Sequence, residues 1–145
     1  MSKTVKPVIR FHFMLPGSFL QQRTPLKQFL IDLFEKEKKS LKSLDYIFCN
    51  DEYLLEINQK YLSHDDYTDI ITFDLSGGDS AEGEIYISID LVRENALRFQ
   101  ASFQQELLRV IFHGALHLCG YKDKTDAEKR VMREREDQCI KAFLV

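Results

Sequence analysis

The segment His113-Gly114-Ala115-Leu116-His117-Leu118-Cys119-Gly120-Tyr121-Lys122-Asp123 constrains this chain more than any other, because it reads as a metal site built on the end of a helix. Two histidines four residues apart share one helical face, one turn from each other. Gly120 can take positive φ and end the helix, so the chain can turn back and offer Asp123 as a third ligand. Two imidazoles and a carboxylate with an open position describe a catalytic zinc better than a structural one.

The residues before this segment make a helix to carry it. Ser102 with Gln105 forms a capping-box pattern that opens a helix from about Phe103 to Leu118. On it Phe103, Leu107, Val110 or Ile111, and Leu118 can face a core, whereas Glu106, Arg109, His113 and His117 form a separate polar stripe that would line a cleft. An i, i+4 histidine pair presents two nitrogens to one point, which closer spacings cannot do.

The remaining pattern supplies strands early and helices late. Val8 to Met14, Leu44 to Cys49, Asp69 to Leu75 and Glu84 to Ile89 read as four strands, the last two joined by a turn at Ser76-Gly77-Gly78-Asp79. Thr24-Pro25 reads as an N-cap followed by proline at the first helical position, with Leu26, Phe29, Leu30, Leu33 and Phe34 at helical spacing. The lysine-rich stretch Lys36 to Lys42 reads as the solvated end of that helix and its loop. Asn50 can cap a short helix carrying Tyr53, Leu54, Ile57 and Tyr61, broken by the polar run Ser63 to Tyr67, and Asp90 reads as the cap of a helix to about Phe99. Thr125 with Glu128 opens a terminal helix. The expected fold is α/β or α+β: about four strands, mostly in the N-terminal two thirds, with about five helices packed on them and a zincin-like metal site at a helix end.

Size and composition narrow the classes of function. With 145 residues and no linker or repeat, the expectation is one domain spanning residues 1–145. A composition of 44% hydrophobic and 30% charged residues is that of an ordinary soluble domain. The formal charge of −3 argues against a nonspecific polycation coating nucleic acid, but leaves room for a local basic groove. Cys49, Cys119 and Cys139 include no CxxC pair, which fits buried fillers in a reducing cytoplasm. Neither a signal peptide nor a membrane span is legible, so the expected location is cytoplasmic.

The pattern His-x-x-x-His-x-x-Gly-x-x-Asp has the ligand spacing of long-motif zincins, HExxHxxGxxH, with aspartate in the third place. Gly114 stands where those proteases need a catalytic glutamate, so a peptidase mechanism lacks its general base. Other suggestive residues have plainer readings. His64 is an exposed loop residue, His12 a core or edge strand residue, and Cys119 a small hydrophobe. Phe11, Phe13 and Phe73 are core fillers, and Lys129, Arg130, Arg133 and Arg135, mixed with Glu128, Glu134 and Glu136, form a solvated helix face.

The residues from His113 to Asp123 resemble the HGxLHLxGYDH signature of the YbeY family of bacterial endoribonucleases. Other blocks agree in order and spacing. Asn58-Gln-Lys-Tyr61 and Tyr67-Thr68-Asp69-Ile70-Ile71-Thr72-Phe73 resemble the family's Asn-x-x-Tyr-Arg and Pro-Thr-Asp-Val-Leu-Ser-Phe. Gly83-Glu84-Ile85-Tyr86-Ile87-Ser88 resembles Gly-Asp-Ile-x-Ile-Ser, and Glu106-Leu107 the glutamate before the histidine helix. The resemblance implies a metal-dependent, single-strand-specific endoribonuclease acting in maturation of ribosomal RNA and ribosome biogenesis. It implies one divalent ion, zinc, held by His113, His117 and Asp123. The partners it implies are ribosomal RNA precursor and the ribosome or its associated proteins, without DNA or membrane.

Three departures bear on the chemistry: the third histidine falls on Asp123, the arginine on Leu62, and the proline before Thr-Asp on Tyr67. Aspartate ligates zinc, makes the bound water less acidic than a third imidazole would, and gives a harder site that admits manganese more readily. The lost arginine removes a phosphate clamp, for which Lys60, Lys122 or Arg109 are the candidate substitutes. Glu106 is the candidate second carboxylate, a partner of a ligand or a proton acceptor, and Asp69 a candidate for orienting a ligand histidine. The competing readings are another metal-dependent hydrolase, or a nonenzymatic ribosome-associated factor in which the metal is structural.

Overall fold

The structure, a computed structural model, describes residues 6–62 and 68–145. The chain runs β1 (Val8–Phe13), α1 (Arg23–Lys36), β2 (Ser40–Cys49), α2 (Asp51–Leu62), β3 (Ile70–Asp74), β4 (Ser80–Ser88), α3 (Ile89–Arg98), α4 (Phe103–Leu118) and α5 (Asp126–Leu144). The four-stranded sheet has the order β1-β2-β4-β3, with β1, β2 and β4 parallel and β3 antiparallel to β4. This is the α+β layout expected from the alternating early pattern and the helical C-terminal half.

Strand alternation divides the sheet into two faces. Ile9, Leu44, Tyr46, Phe48, Ile85 and Ile87 point to the main core, where they meet Leu26, Leu30, Leu33 and Phe34 of α1 and the buried stripe of α4. On the other face α2 lays Leu54 and Ile57 over Cys49 and Ile71, flanked by Tyr53, Phe73 and Tyr86. The phenol of buried Tyr46 donates to the carbonyl of Ile111 at 2.8 Å, which ties β2 to the middle of α4. His12 lies on the edge strand β1, exposed beside Asp45 of β2, with Nε2 2.8 Å from its carboxylate. No helix among the described residues is long and apolar enough to cross a membrane.

Gly114 fixes how closely α4 lies on the sheet. A Cβ there would stand 2.8 Å from Cδ1 and 2.9 Å from Cγ2 of Ile85, so the helix rests on β4 at a distance only glycine allows. The position after His113 therefore faces the sheet rather than the cleft, and a zincin-type glutamate has no room in it.

Several boundaries differ from the sequence reading. Helix α1 starts at Arg23 behind Gln22, which is left-handed (φ 55°) and makes no side-chain cap; Thr24 is inside the helix, and Pro25 occupies its first turn, where its missing N–H costs nothing. Strands β2 and β4 begin at Ser40 and Ser80, four residues before the runs at Leu44 and Glu84, because the two pair from Ser40↔Ser80 onward with one register shift between Leu41 and Ser43. Part of the lysine-rich stretch is thus strand. Ser88, not Asp90, caps α3 by accepting from the Leu91 N–H; Asp90 instead accepts from the Asp51 N–H at 3.1 Å, at the start of α2. Asn50 caps α2 as expected, its side chain accepting from the Tyr53 N–H. The run from Ser63 to Tyr67, with His64, lies outside the described residues.

Candidate metal centre

Local backbone chemistry places the three candidate ligands. Ser102 Oγ accepts from the Gln105 N–H and starts α4. At the other end Gly120 takes φ 108°, its N–H donates to the His117 carbonyl and the Tyr121 N–H to the Leu116 carbonyl. These two bonds form the glycine-terminated Schellman turn. The reversal sends the chain back past His117 and brings Asp123 in front of both histidines. Thr125 and Glu128 then form a full capping box that starts α5 at once, so the ligand loop is held at both ends.

Both imidazoles are oriented through Nδ1, which leaves Nε2 for a ligand. Nδ1 of His113 lies 2.5 Å from Oε2 of Glu136, and Nδ1 of His117 donates to the Tyr121 carbonyl at 3.0 Å. The two Nε2 atoms converge on Oδ2 of Asp123, at 3.1 Å from His113 and 3.2 Å from His117. The three ligand atoms lie within 4.8 Å of one another. Zinc bonds of about 2.0–2.2 Å set tetrahedral donors roughly 3.3–3.5 Å apart, so this donor set fits one divalent ion with little movement. Imidazole nitrogens and a carboxylate oxygen are also the ligand types such an ion takes.

Around the triad lies a net of fixed charges. Glu136, 5% exposed on α5, also accepts from Nη1 of Arg109 at 3.0 Å, and Nη2 of Arg109 donates to Asp137 at 2.6 Å. Burial works against protonation of His113, but the Glu136 hydrogen bond and the charges of Glu136 and Asp123 outweigh it, leaving its pKa raised. Tyr121 donates through its hydroxyl to Glu37, which also accepts from Arg135, so the ligand loop is tied to the end of α1 and to α5.

Two clefts open on the triad. One, of about 360 Å³, lies between α3, α4 and α5, with His113, Asp123, Asp69, Glu106 and Arg109 in its wall. The other, of about 570 Å³, is walled by β3 through Ile70, Thr72 and Asp74 and by His117 and Leu118 of α4. Asp69, His113 and Asp123 border both. Burial raises the pKa of Asp69 and of Glu106 above the ordinary carboxylate range.

The expected site residues are thus brought together, with changed parts. His113, His117 and Asp123 converge as the sequence predicts. Asp69 borders the site, but its carboxylate accepts from the Asn95 amide at 3.2 Å rather than from a ligand histidine. Glu106 faces the cleft, and among the described residues it makes no hydrogen bond to His113. The carboxylate that holds His113 is Glu136, which the sequence reading placed on a solvated face. Its signal was present in the spacing: Met132, Glu136, Cys139 and Ile140 form the buried stripe of α5. Lys129 and Arg133, assigned to the same solvated face, border the first cleft. Arg109, a candidate phosphate clamp, is committed to Glu136 and Asp137, and Lys60 rests over the Tyr61 ring.

An α+β sheet that carries a His-His-Asp centre at a helix end, with glycine where zincins need glutamate, defines a class of metal-site protein distinct from the peptidases it resembles in spacing. The model of the family described as Endoribonuclease YbeY matches residues 20–144, and the chain belongs to this family. Endoribonuclease YbeY of Flavobacterium psychrophilum is 51% identical over 126 residues, which cover 87% of this chain and 90% of the relative. The protein of the same name from Flavobacterium johnsoniae is 45% identical over 95% of this chain and 99% of its own length. Among solved structures, the solution structure of TM1509 from Thermotoga maritima superposes with a TM-score of 0.65 at 29% identity, covering 94% of this chain and 88% of that one.

Proposed function

We propose that this chain is a metal-dependent endoribonuclease that hydrolyses phosphodiester bonds of single-stranded RNA, with His113, His117 and Asp123 holding one divalent ion, zinc. The observation that carries the reading is the convergence of both Nε2 atoms on Asp123, which borders a cleft that also holds Glu106, Lys129 and Arg133. Family membership supplies the reaction class: the relatives bear the name endoribonuclease. Ribosomal RNA precursor as substrate, association with the ribosome and a cytoplasmic location extend the same reading.

A divalent ion in this centre supplies Lewis-acid polarisation of a phosphoryl oxygen and increased acidity of a water molecule. The protein does the rest. Glu136 and the Tyr121 carbonyl hold the two imidazoles in the tautomer with Nε2 free to ligate. Asp69, bordering both clefts and steadied by Asn95, is placed to accept the proton of the attacking water. Glu106, buried in the α4 wall, is the second carboxylate available for proton transfer on that side. A side-by-side assay on single-stranded RNA, the same sequence in a duplex, and an unstructured peptide tests the reading. Hydrolysis of the single strand alone is expected, whereas peptide cleavage without RNA cleavage would overturn it.

A further inference from the structure

The cleft between α3, α4 and α5 contains three side chains that the metal centre does not use. Phe99, at the C-cap of α3, borders the cleft with 55% of its surface exposed, and among the described residues its ring packs on no other ring or cation. Its ring is thus open at the cleft wall and available to stack on a planar group. Lys129 and Arg133, one turn apart on α5, border the same cleft, and neither side chain makes a hydrogen bond or ion pair among the described residues. Arg109, the third cation there, is spent on Glu136 and Asp137.

We propose that this cleft is the subsite for the nucleotide beside the scissile phosphate, with Phe99 stacking on its base and Lys129 and Arg133 binding flanking phosphates. The inference rests on the endoribonuclease reading above and assigns residues to one side of the substrate. An aromatic face next to a cationic track is how single strands are held without base-specific hydrogen bonds, since every base offers a π-face. Stacking also requires an unpaired base, which makes this cleft a selector against duplex RNA. The charge balance links occupancy to the metal. The cleft wall carries the carboxylates of Asp69, Glu106, Asp123 and Glu136 against three cations, a negative excess that one divalent ion reverses. RNA therefore binds the metal-loaded protein better than the stripped one.

The test uses the zinc-loaded protein and a short labelled single-stranded RNA, with affinity read by fluorescence anisotropy and cleavage followed in the same samples. Phe99→Ala should weaken binding about tenfold and Phe99→Trp should restore it. An RNA with one abasic position next to the cut should cost wild type the same factor but cost Phe99→Ala little more. Lys129→Ala and Arg133→Ala should each make the salt dependence of log Kd shallower by about 0.7, the value for one phosphate contact on a single strand. Unchanged affinity in Phe99→Ala, or equal losses on intact and abasic RNA, overturns the stacking role. Unchanged salt slopes overturn the phosphate contacts. A wild-type protein that binds no RNA overturns both this subsite and the endoribonuclease reading, whereas RNA bound and cut alike by wild type and all three alanine variants overturns the subsite alone.

Discussion

Glu136 is the residue on which the geometry of the centre depends most and which the sequence disclosed least. It lies 23 positions from the histidine it holds, within a run of mixed charge that resembles a solvated face. His113, His117 and Asp123 were legible because one helix end and one turn bring them together, and local rules suffice for that. Glu136 reaches His113 only after α5 has packed on α4, an event that local pattern does not encode. Glu136→Gln keeps the shape and removes the charge, and should weaken zinc binding about 10- to 100-fold in chelator competition, the range for lost partners of ligating histidines. Wild-type affinity in a folded Glu136→Gln protein would show that the Tyr121 side of the site suffices. Glu106 leads to a second expectation. Burial raises its pKa above the ordinary 4.5, so the folded chain holds its proton more tightly than the unfolded chain does. That contribution is present below about pH 4.5 and lost as pH rises through the folded value. Glu106→Gln should therefore melt at higher temperature than wild type at neutral pH while cutting RNA more slowly; a melting temperature unchanged at pH 7 and across lower pH would contradict the assigned burial cost.

At the scale of elements, the helix α4 and its contact with β4 set the position of the triad. Gly114 allows that contact, and Gly114→Ala sets helix propensity against packing. Alanine gains up to about 1 kcal/mol as a helix former, but its Cβ would lie 2.8 Å from buried Ile85 in a filled core, where overpacking costs typically about 1–3 kcal/mol. Thermal denaturation should show net destabilisation, and a more stable Gly114→Ala protein would mean that α4 can lift from the sheet freely. Elements were legible where apolar periodicity was strong, as in α1, α4 and the cores of β2 and β4. Their boundaries were not. Apart from Leu41, the residues Ser40 to Ser43 and Ser80 to Gly83 are polar or small, and they are strand because the two stretches pair with each other across one register shift, which is information about pairing rather than propensity. The N-cap of α1 at Gln22 rather than Thr24 follows from a left-handed turn that no local cap signals.

The whole molecule turns these local pieces into a site by its strand order. The alternating pattern predicted four strands and five helices, and the turn after β3 makes β3 and β4 an antiparallel hairpin, but the order β1-β2-β4-β3, with β3 at the edge, is fixed by the crossings that make β1, β2 and β4 parallel, which sequence pattern does not reveal. Its edge position leaves a wall open beside α4, and the larger cleft runs along that wall to the triad. The centre in turn joins α4 to α5 through His113 and Glu136 and to α1 through Tyr121 and Glu37. Metal removal should accordingly lower the melting temperature of the whole domain, and above the dissociation constant that temperature should rise with the logarithm of free metal, as binding to the native state requires. Scans at several zinc concentrations check this, and a melting temperature independent of zinc would separate the centre from the fold. The most direct measurement compares wild type with His117→Ala, prepared by one purification, for bound metal per chain and for cleavage of single-stranded RNA. One divalent ion per wild-type chain with RNA cleavage, and loss of both in a folded His117→Ala protein, is the predicted result; cleavage undiminished in His117→Ala, or a wild-type chain that binds no divalent metal, would contradict it.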